Sequence, residues 1–191
     1  MRMAAGLAAL LLLGTACGFI DGVEFGGVSV DERDGVMHVE GVPLPHSRWV
    51  ALDLPPGTGA LTLESATREL RVATVATGEA ARLEVQLFSE LEGDGQVTLA
   101  EGMPLATTTS GRRVLINGVR GGVPAGSRLA AHTGTGPCVV DATHGLAGVQ
   151  LESGTGALEL RGGPLGEVSL NTGTGPVSLA EATAGEVRVT S

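Results

Sequence analysis

The chain has 191 residues, of which 31 are glycine, and its net charge is −9 with all twelve basic residues being arginine. Glycines do not recur at every third position, which excludes a collagen, and two cysteines are too few to form a disulfide scaffold of this length. A hydrophobic fraction of 42% argues against low-complexity disorder, and the acidic balance argues against a nucleic-acid partner.

The first seventeen residues have the three-part layout of a secretory signal peptide. Arg2 supplies a positive charge, residues 4–13 form an apolar run, and small residues precede Cys17. A membrane-spanning helix needs about 20 apolar residues, so this run is too short to cross the hydrocarbon core. We therefore expect residues 1–16 to be a signal peptide and the mature protein to be exported.

The end of this segment, Leu13 to Cys17, resembles a bacterial lipobox. In such signals the chain is cleaved before the cysteine, here between Ala16 and Cys17, and the cysteine is acylated. Two or three acyl chains on Cys17 would anchor the protein in a membrane, whereas one chain binds only reversibly. The sequence departs from the family at Gly14, where lipoprotein signals favour leucine. Gly18 after the cysteine is typical of lipoproteins that reach the outer membrane.

A second interpretation of the same segment stays open. Gly14 and Ala16 also satisfy the small-x-small pattern that ordinary signal peptidase reads. Cleavage by that enzyme would release a soluble periplasmic protein with Cys17 at its N-terminus. Both interpretations place the mature chain in the cell envelope.

Two regions follow the signal segment. Residues 17–50 do not share the pattern of the rest, and we interpret them as a lipidated N-terminus, a tether and the atypical cap that a stack of repeats needs. Residues 51–191 are predicted to form one β-solenoid domain. Within it, Leu52 to Leu63 looks like a copy of the later repeats, and the alternation of apolar residues over 66–87 favours strands over a helix.

A Gly-Thr-Gly motif recurs in the last third of the chain at spacings of 20 and 19 residues. Apolar residues alternate with polar ones on both sides of each copy, which predicts two strands joined by a tight corner. Glycine suits such a corner because it permits a positive φ or a close approach of backbones. A fixed period near 20 residues is typical of solenoids. The glycines predicted to form these structural turns are Gly134, Gly136, Gly154, Gly156, Gly173 and Gly175.

Stacking the repeats about 4.8 Å apart places equivalent residues in columns. Gly166 and Gly185, with Ala147 in the longer first unit, are predicted to mark a second corner. His132, Glu152 and Asn171 should share an outward column. The inward columns should be Ala131, Leu151, Leu170 and Val189; Cys138, Leu158 and Val177; and Val140, Leu160 and Leu179.

These repeats resemble the bacterial putative-adhesin domain family, which is common in exported and membrane-tethered proteins. Val149 to Leu160 and Val168 to Leu179 match its unit of apolar-x-apolar strands around Ser/Thr-Gly-Ser/Thr-Gly. The resemblance covers residues 110–191 well and 28–109 loosely. It implies an all-β, single-stranded β-solenoid, β-helix-like, with coils of about 19–20 residues, and it implies no enzymatic activity.

Other kinds of site are less well supported by the sequence. His132, Cys138 and His144 have the composition of a zinc site, but Cys138 falls in an inward column and His132 in an outward one. The column of Glu167 and Glu186 offers too few oxygens for Ca²⁺. A Cys17 to Cys138 disulfide would be incompatible with acylation of Cys17. The Gly-x-Gly motifs lead into strands rather than the helix that a dinucleotide site needs. We therefore expect no metal and no cofactor.

The sequence therefore predicts an exported, lipid-anchored envelope protein that acts as a non-enzymatic, adhesin-like scaffold or binding module. Its expected partners are the membrane, through acyl chains on Cys17, and a protein or glycan of the envelope that the sequence does not identify. Two alternatives stay open: a carbohydrate-active β-helix enzyme and a soluble periplasmic stress-sensing domain. Self-association through the strand edge at Val187 to Ser191 is a further possibility, unless upstream residues fold over that edge.

Overall fold

The structure, a computed structural model, describes residues 23–25 and 27–191, and all regular elements in that part of the chain are β-strands. Among these residues there is no helix long and apolar enough to span a membrane. The predicted all-β class is confirmed. In chain order the strands are β1 (Val23–Phe25), β2 (Val28–Arg33), β3 (Val36–Val39), β4 (Val42–Leu44), β5 (His46–Asp53), β6 (Ala60–Ser65), β7 (Leu70–Val75), β8 (Arg82–Ser89), β9 (Gln96–Ala100), β10 (Met103–Thr107), β11 (Val114–Pro124), β12 (Arg128–Thr133), β13 (Cys138–Asp141), β14 (Leu146–Ser153), β15 (Leu158–Arg161), β16 (Pro164–Thr172), β17 (Val177–Ala180) and β18 (Thr183–Thr190).

Two sheets form the main body of the protein. One has five parallel strands in the order β18-β16-β14-β12-β6, and the other has seven in the order β17-β15-β13-β7-β11-β8-β5. From β12 onward the chain alternates between the two sheets, so that each repeat adds one parallel strand to each of them. We call one such pair of strands a turn of the stack.

The hydrophobic core lies between these sheets and follows the predicted inward columns. Leu151, Leu158 and Leu160 are completely buried, as are their neighbours in the preceding turn. The last turn differs, because Leu179 is 39% exposed and Val189 is 55% exposed. The columns are therefore correct, and within the described part of the chain no other strand covers Leu179 or Val189.

The sheet arrangement does not confirm a single-stranded solenoid. Strand β8 pairs antiparallel with both β5 and β11, β9 and β10 form a hairpin, and β1 to β4 form a separate antiparallel sheet. This last sheet packs Val30, Met37, Val39 and Leu44 against Ala66 and Phe88 in a second, smaller core. Most strand pairs outside the repeats are thus antiparallel, although β11 also pairs parallel with β7 of the first turn.

The interpretation of Leu52 to Leu63 as a copy of the repeat is wrong. Leu61 pairs in register with Leu129, and Leu70 pairs with Cys138, so the first turn is built from residues 60–75. Its corner has the sequence Ser65-Ala66-Thr67-Arg68 in place of the glycine motif. Gly57 instead lies in the loop between β5 and β6, with φ at +82°.

The second corner also lies earlier than predicted. The chain turns at Gly145 and at Gly162-Gly163, all with φ in the left-handed region, before each next strand begins. Ala147, Gly166 and Gly185 lie inside strands at positions that the register skips. Gly166 is glycine because a Cβ there would come within 1.9 Å of the Ala147 carbonyl oxygen.

The first corner is held by Asn117 from β11, which is completely buried. Its Oδ1 accepts hydrogen bonds from Thr67 N at 2.9 Å, Arg68 N at 3.1 Å and Ser65 Oγ at 3.2 Å, and its Nδ2 donates to Thr67 Oγ1 at 2.8 Å. The amide thereby pairs two backbone N–H groups that would otherwise be buried without an acceptor.

Candidate binding surface

Cys17 and Ala16, the predicted lipid attachment and cleavage residues, lie outside the described residues. Both remain predictions from the sequence.

The Gly-Thr-Gly glycines occupy corners between the two sheets, and close approach of backbones explains them. A Cβ on Gly156 would lie 2.0 Å from the Gly136 carbonyl oxygen, and one on Gly175 would lie 2.0 Å from the Gly156 carbonyl oxygen. Gly154 and Gly173 face similar contacts of 2.7 and 2.5 Å. None of these four has a positive φ. These glycines therefore serve the stacking of the turns.

The outer face of the five-stranded sheet is polar and carries no phenylalanine, tyrosine or tryptophan. Side chains alternate along each strand, so three columns face outward across β6, β12, β14, β16 and β18. The columns consist of Ala60, Arg128, Gly148, Glu167 and Glu186; Thr62, Ala130, Gln150, Ser169 and Arg188; and Glu64, His132, Glu152, Asn171 and Thr190.

A shallow groove of about 260 Å³ crosses this face over the first four strands. Its depth comes from small residues, since Ala60, Ala130 and Gly148 stand where neighbouring positions carry long side chains. Gly148 leaves room for the Arg128 side chain, whose Nη1 would lie 3.3 Å from a Cβ at that position. Gln150, Glu167 and Ser169 complete the polar lining, and we call this depression the sheet groove.

Arg128 differs from the other arginines in the described part of the chain. Each of the others makes a side-chain hydrogen bond or an ion pair there, whereas Arg128 makes neither. A guanidinium presents five donors in a planar fork that suits carboxylate and other oxyanions. The sheet groove therefore holds an uncommitted positive group within a protein of net negative charge.

A hydrogen-bonded set lies beside the sheet groove. His132 Nδ1 donates to Glu152 Oε2 at 3.1 Å, and Gln150 Nε2 donates to Glu152 Oε1 at 2.8 Å. Glu152 thus holds both neighbours in place, and the predicted outward column of His132, Glu152 and Asn171 is confirmed by the register. Because this carboxylate is already paired, Arg128 is the arginine of the sheet groove that remains available to an acidic ligand.

The three residues considered for zinc are far from converging on one point. Cys138 is completely buried in the core, and burial raises the pKa of its thiol to about 12. His132 is on the outer face, and His144 is exposed in the turn before β14. The described residues contain no group of three histidine, cysteine or acidic side chains able to hold a metal.

The acidic column of Glu167 and Glu186 is crossed by a basic side chain. Arg188 lies 2.8 Å from Glu186 and 3.9 Å from Glu167, measured between guanidinium nitrogen and carboxylate oxygen. The two carboxylates therefore face a cation of the protein itself.

On the outer face of the seven-stranded sheet the arginines already have acidic partners. Arg161 bonds Glu159 at 2.6 Å, Arg120 bonds Glu84 at 2.6 Å, and the Arg120 guanidinium lies over the Trp49 ring at 4.2 Å. The sheet groove differs from this face because its arginine, Arg128, has no such partner among the described residues. Sequence reasoning missed Arg128, because only the register reveals that Gly148 follows it in the same column.

Comparisons with known proteins gave little. No family model matches the chain, and no curated protein matches it either. A solved structure described as a putative cell adhesion protein from Clostridium sporogenes ATCC 15579 is similar over 76% of this chain and 99% of its own, with 8% sequence identity and a TM-score of 0.36.

Proposed function

We propose that this protein is an exported, lipid-anchored binding module of the bacterial cell envelope, with the sheet groove as its binding surface. The observation that carries the anchor is the apolar signal segment that ends in small residues and Cys17. The repeat pattern supports a second part of the proposal, that the turns from β12 to β18 form a short solenoid-like stack. Such a stack presents a long, flat face to a partner.

The sheet groove would receive a ligand that carries an acidic group. Arg128 offers unpaired donors for a carboxylate, while the Gln150 amide and the Ser169 hydroxyl lie within the same lining for neighbouring hydroxyl or amide groups. An acidic glycan or an acidic peptide of the envelope has this combination. Because the face has no tryptophan, tyrosine or phenylalanine for stacking on sugar rings, hydrogen bonds and charge would decide specificity.

We propose that the module acts by binding and not by catalysis. The sheet groove lining has one guanidinium and one carboxylate, Arg128 and Glu167, with Gly148 between them in register. Two strand spacings separate their backbones by about 10 Å. A guanidinium keeps its proton in proteins, so Glu167 is the one carboxylate of this lining that could exchange a proton and it has no second acid or base beside it there.

The anchor is tested by the variant Cys17→Ala and by globomycin, which blocks the lipoprotein signal peptidase. We expect either treatment to leave unprocessed precursor and to abolish the acylated form in the outer-membrane fraction. Unchanged processing, together with a soluble periplasmic product, would contradict the anchor and favour the ordinary signal peptide.

The sheet groove is tested with Arg128→Ala and with Arg161→Ala as its matched control. Arg161 is also an exposed arginine, lies on the opposite sheet and is paired with Glu159. Polygalacturonate and poly-L-glutamate serve as probes for sugar and peptide carboxylates. We expect binding of one of them to fall at least tenfold in Arg128→Ala and to be unchanged in Arg161→Ala. Binding of neither probe, or equal loss in both variants, would contradict the proposed surface.

A further inference from the structure

The last turn of the stack exposes residues that are buried in every earlier turn. Val187 is 43% exposed and Val189 is 55% exposed, although their counterparts Val168 and Leu170 in β16 are buried. In β17, Leu179 is 39% exposed whereas Leu160 beside it is completely buried. Among the described residues, β17 and β18 each have a neighbour on one side only. The core is therefore open on this side in both sheets.

The opposite edge of the five-stranded sheet, at β6, is covered by another part of the chain. There the hairpin of β9 and β10 lies against β6, and Thr62 N donates a hydrogen bond to the Gly102 carbonyl oxygen at 3.0 Å. Proteins protect exposed strand edges with prolines, bulges, inward-facing charges or covering segments. Strand β18 has eight residues, no proline and no inward-facing charge. It has the features of an edge that pairs.

The sequence of β18 is complementary to itself in antiparallel orientation. When Val187 is placed opposite the same residue of a second copy, Glu186 faces Arg188. Apolar residues then meet on the inner face and opposite charges meet on the outer face, which is the favourable arrangement for cross-strand pairs. A register centred on Arg188 would instead oppose two guanidinium groups. Only the register centred on Val187 sets Glu186 against Arg188, so charge favours that register.

A two-fold axis perpendicular to both sheets produces this pairing in both of them at once. Such an axis reverses the strand direction, so β18 runs antiparallel to its copy while β17 does the same in the other sheet. The two open cores then meet, and Leu179, Val187 and Val189 of both copies are covered. An isologous interface of this kind closes after two copies and does not propagate into a fibre.

We propose that this chain forms a two-fold dimer by end-to-end pairing of β18 with β18 and of β17 with β17, in the register that opposes Val187 to itself. The proposal does not depend on the anchor or on the sheet groove. In a lipid-anchored protein it would present two sheet grooves on one continuous ten-stranded face, which would raise the avidity for a repeating ligand.

Disulfide capture in the full chain tests the register. Cβ atoms of directly opposed antiparallel residues lie about 4.5 to 5.5 Å apart, so Val187→Cys should cross-link to its copy under mild oxidation. The parent chain, with Cys17 and the buried Cys138, sets the background. Thr135→Cys is the matched control, since Thr135 is exposed at a corner distant from β18. We expect at least fivefold more dimer on a non-reducing gel for Val187→Cys than for either reference.

Charge reversal separates this pairing from chance collisions. Arg188→Glu in the Val187→Cys chain should reduce cross-linking at least threefold, and adding Glu186→Arg should restore it. All of these residues are exposed, so the variants should keep the fold of the parent, which circular dichroism checks. Cross-linking of Val187→Cys at the background level, or a higher yield for Arg188→Cys, would overturn the proposal.

Discussion

The first corner of the stack differs in its residues from the three corners that follow, although all four connect the same two sheets. In the repeats, the corner is Gly-Thr-Gly, and each second glycine lies directly on a carbonyl oxygen of the preceding turn. In the first turn the equivalent residue is Arg68, a large side chain. Arg68 is tolerated because no other turn lies below it, and Asn117 and Gly118 of β11 occupy that space instead.

The comparison shows that glycine is needed only where a turn has another turn beneath it. Gly136 rests on the Arg68 carbonyl oxygen, which a Cβ would approach within 2.1 Å. The first corner has no such neighbour, so it pairs its backbone N–H groups with the Asn117 amide. Repetition of the glycine motif therefore marks stacked corners, and its loss marks the start of the stack.

The largest effect should come from adding a methyl group to a stacked corner. Gly156→Ala would place a Cβ 2.0 Å from the Gly136 carbonyl oxygen, with Ser153 Oγ also within 2.9 Å, so the turns must separate. We expect a loss of at least about 3 kcal/mol in the free energy of unfolding, measured by urea denaturation. Thr155→Ala, at the exposed residue between the two glycines, is the control and should change stability by less than about 0.5 kcal/mol. Equal small effects would contradict the stacking of the corners.

Removing the amide at the first corner should have the next largest effect. Asn117→Ala leaves Thr67 N and Arg68 N without their shared acceptor, whereas the Ser65 hydroxyl keeps its hydrogen bond to the Arg68 carbonyl oxygen at 2.7 Å. We expect a loss of about 2 to 4 kcal/mol in the same denaturation measurement. The exposed Asn171→Ala serves as a control for loss of an asparagine. A change of less than about 1 kcal/mol in Asn117→Ala would mean that water or a neighbouring group replaces the amide.

A third test compares the last turn of the stack with an inner turn. Leu160 and Leu179 lie next to each other in the same inward column. Leu160→Ala creates a cavity in the core and should cost about 2 to 5 kcal/mol. Leu179→Ala removes the same atoms from a half-open position and should cost less than about 1 kcal/mol in the monomer. If Leu179→Ala is as costly as Leu160→Ala at low protein concentration, the last turn is covered within one chain.

The smallest effect is expected at the corner on the other side of the stack. Hydrogen bonds from the Thr143 hydroxyl and from Thr143 N hold the pKa of Asp141 below its usual value. Since the folded pKa is lowered, this carboxylate contributes stability above its unfolded pKa and loses it as the pH falls through the folded value. Thr143→Val should raise the Asp141 pKa toward normal in an NMR titration, and an unchanged value would contradict the contribution of the hydroxyl.

The sequence sufficed for the strands of the repeats, the inward columns and the outward position of His132. These features follow from alternation and period, which are local and repeat themselves. The first turn escaped prediction because residues 60–75 pair with residues 128–141 across an insertion of some fifty residues, which no periodic pattern reveals. Gly57 to Gly59 imitates the motif but lies in a loop. The sequence did not single out Arg128, because only the folded structure shows which arginines have a hydrogen-bonding or ion-pair partner.

The central claim is that Cys17 becomes the acylated first residue of an exported protein. Mass spectrometry of the N-terminal peptide, from protein isolated from bacterial membranes, tests it most directly. The account predicts a peptide that begins at Cys17 and carries two or three acyl chains. A peptide that begins at an unmodified Cys17, or one that still contains residues 1–16, would contradict it.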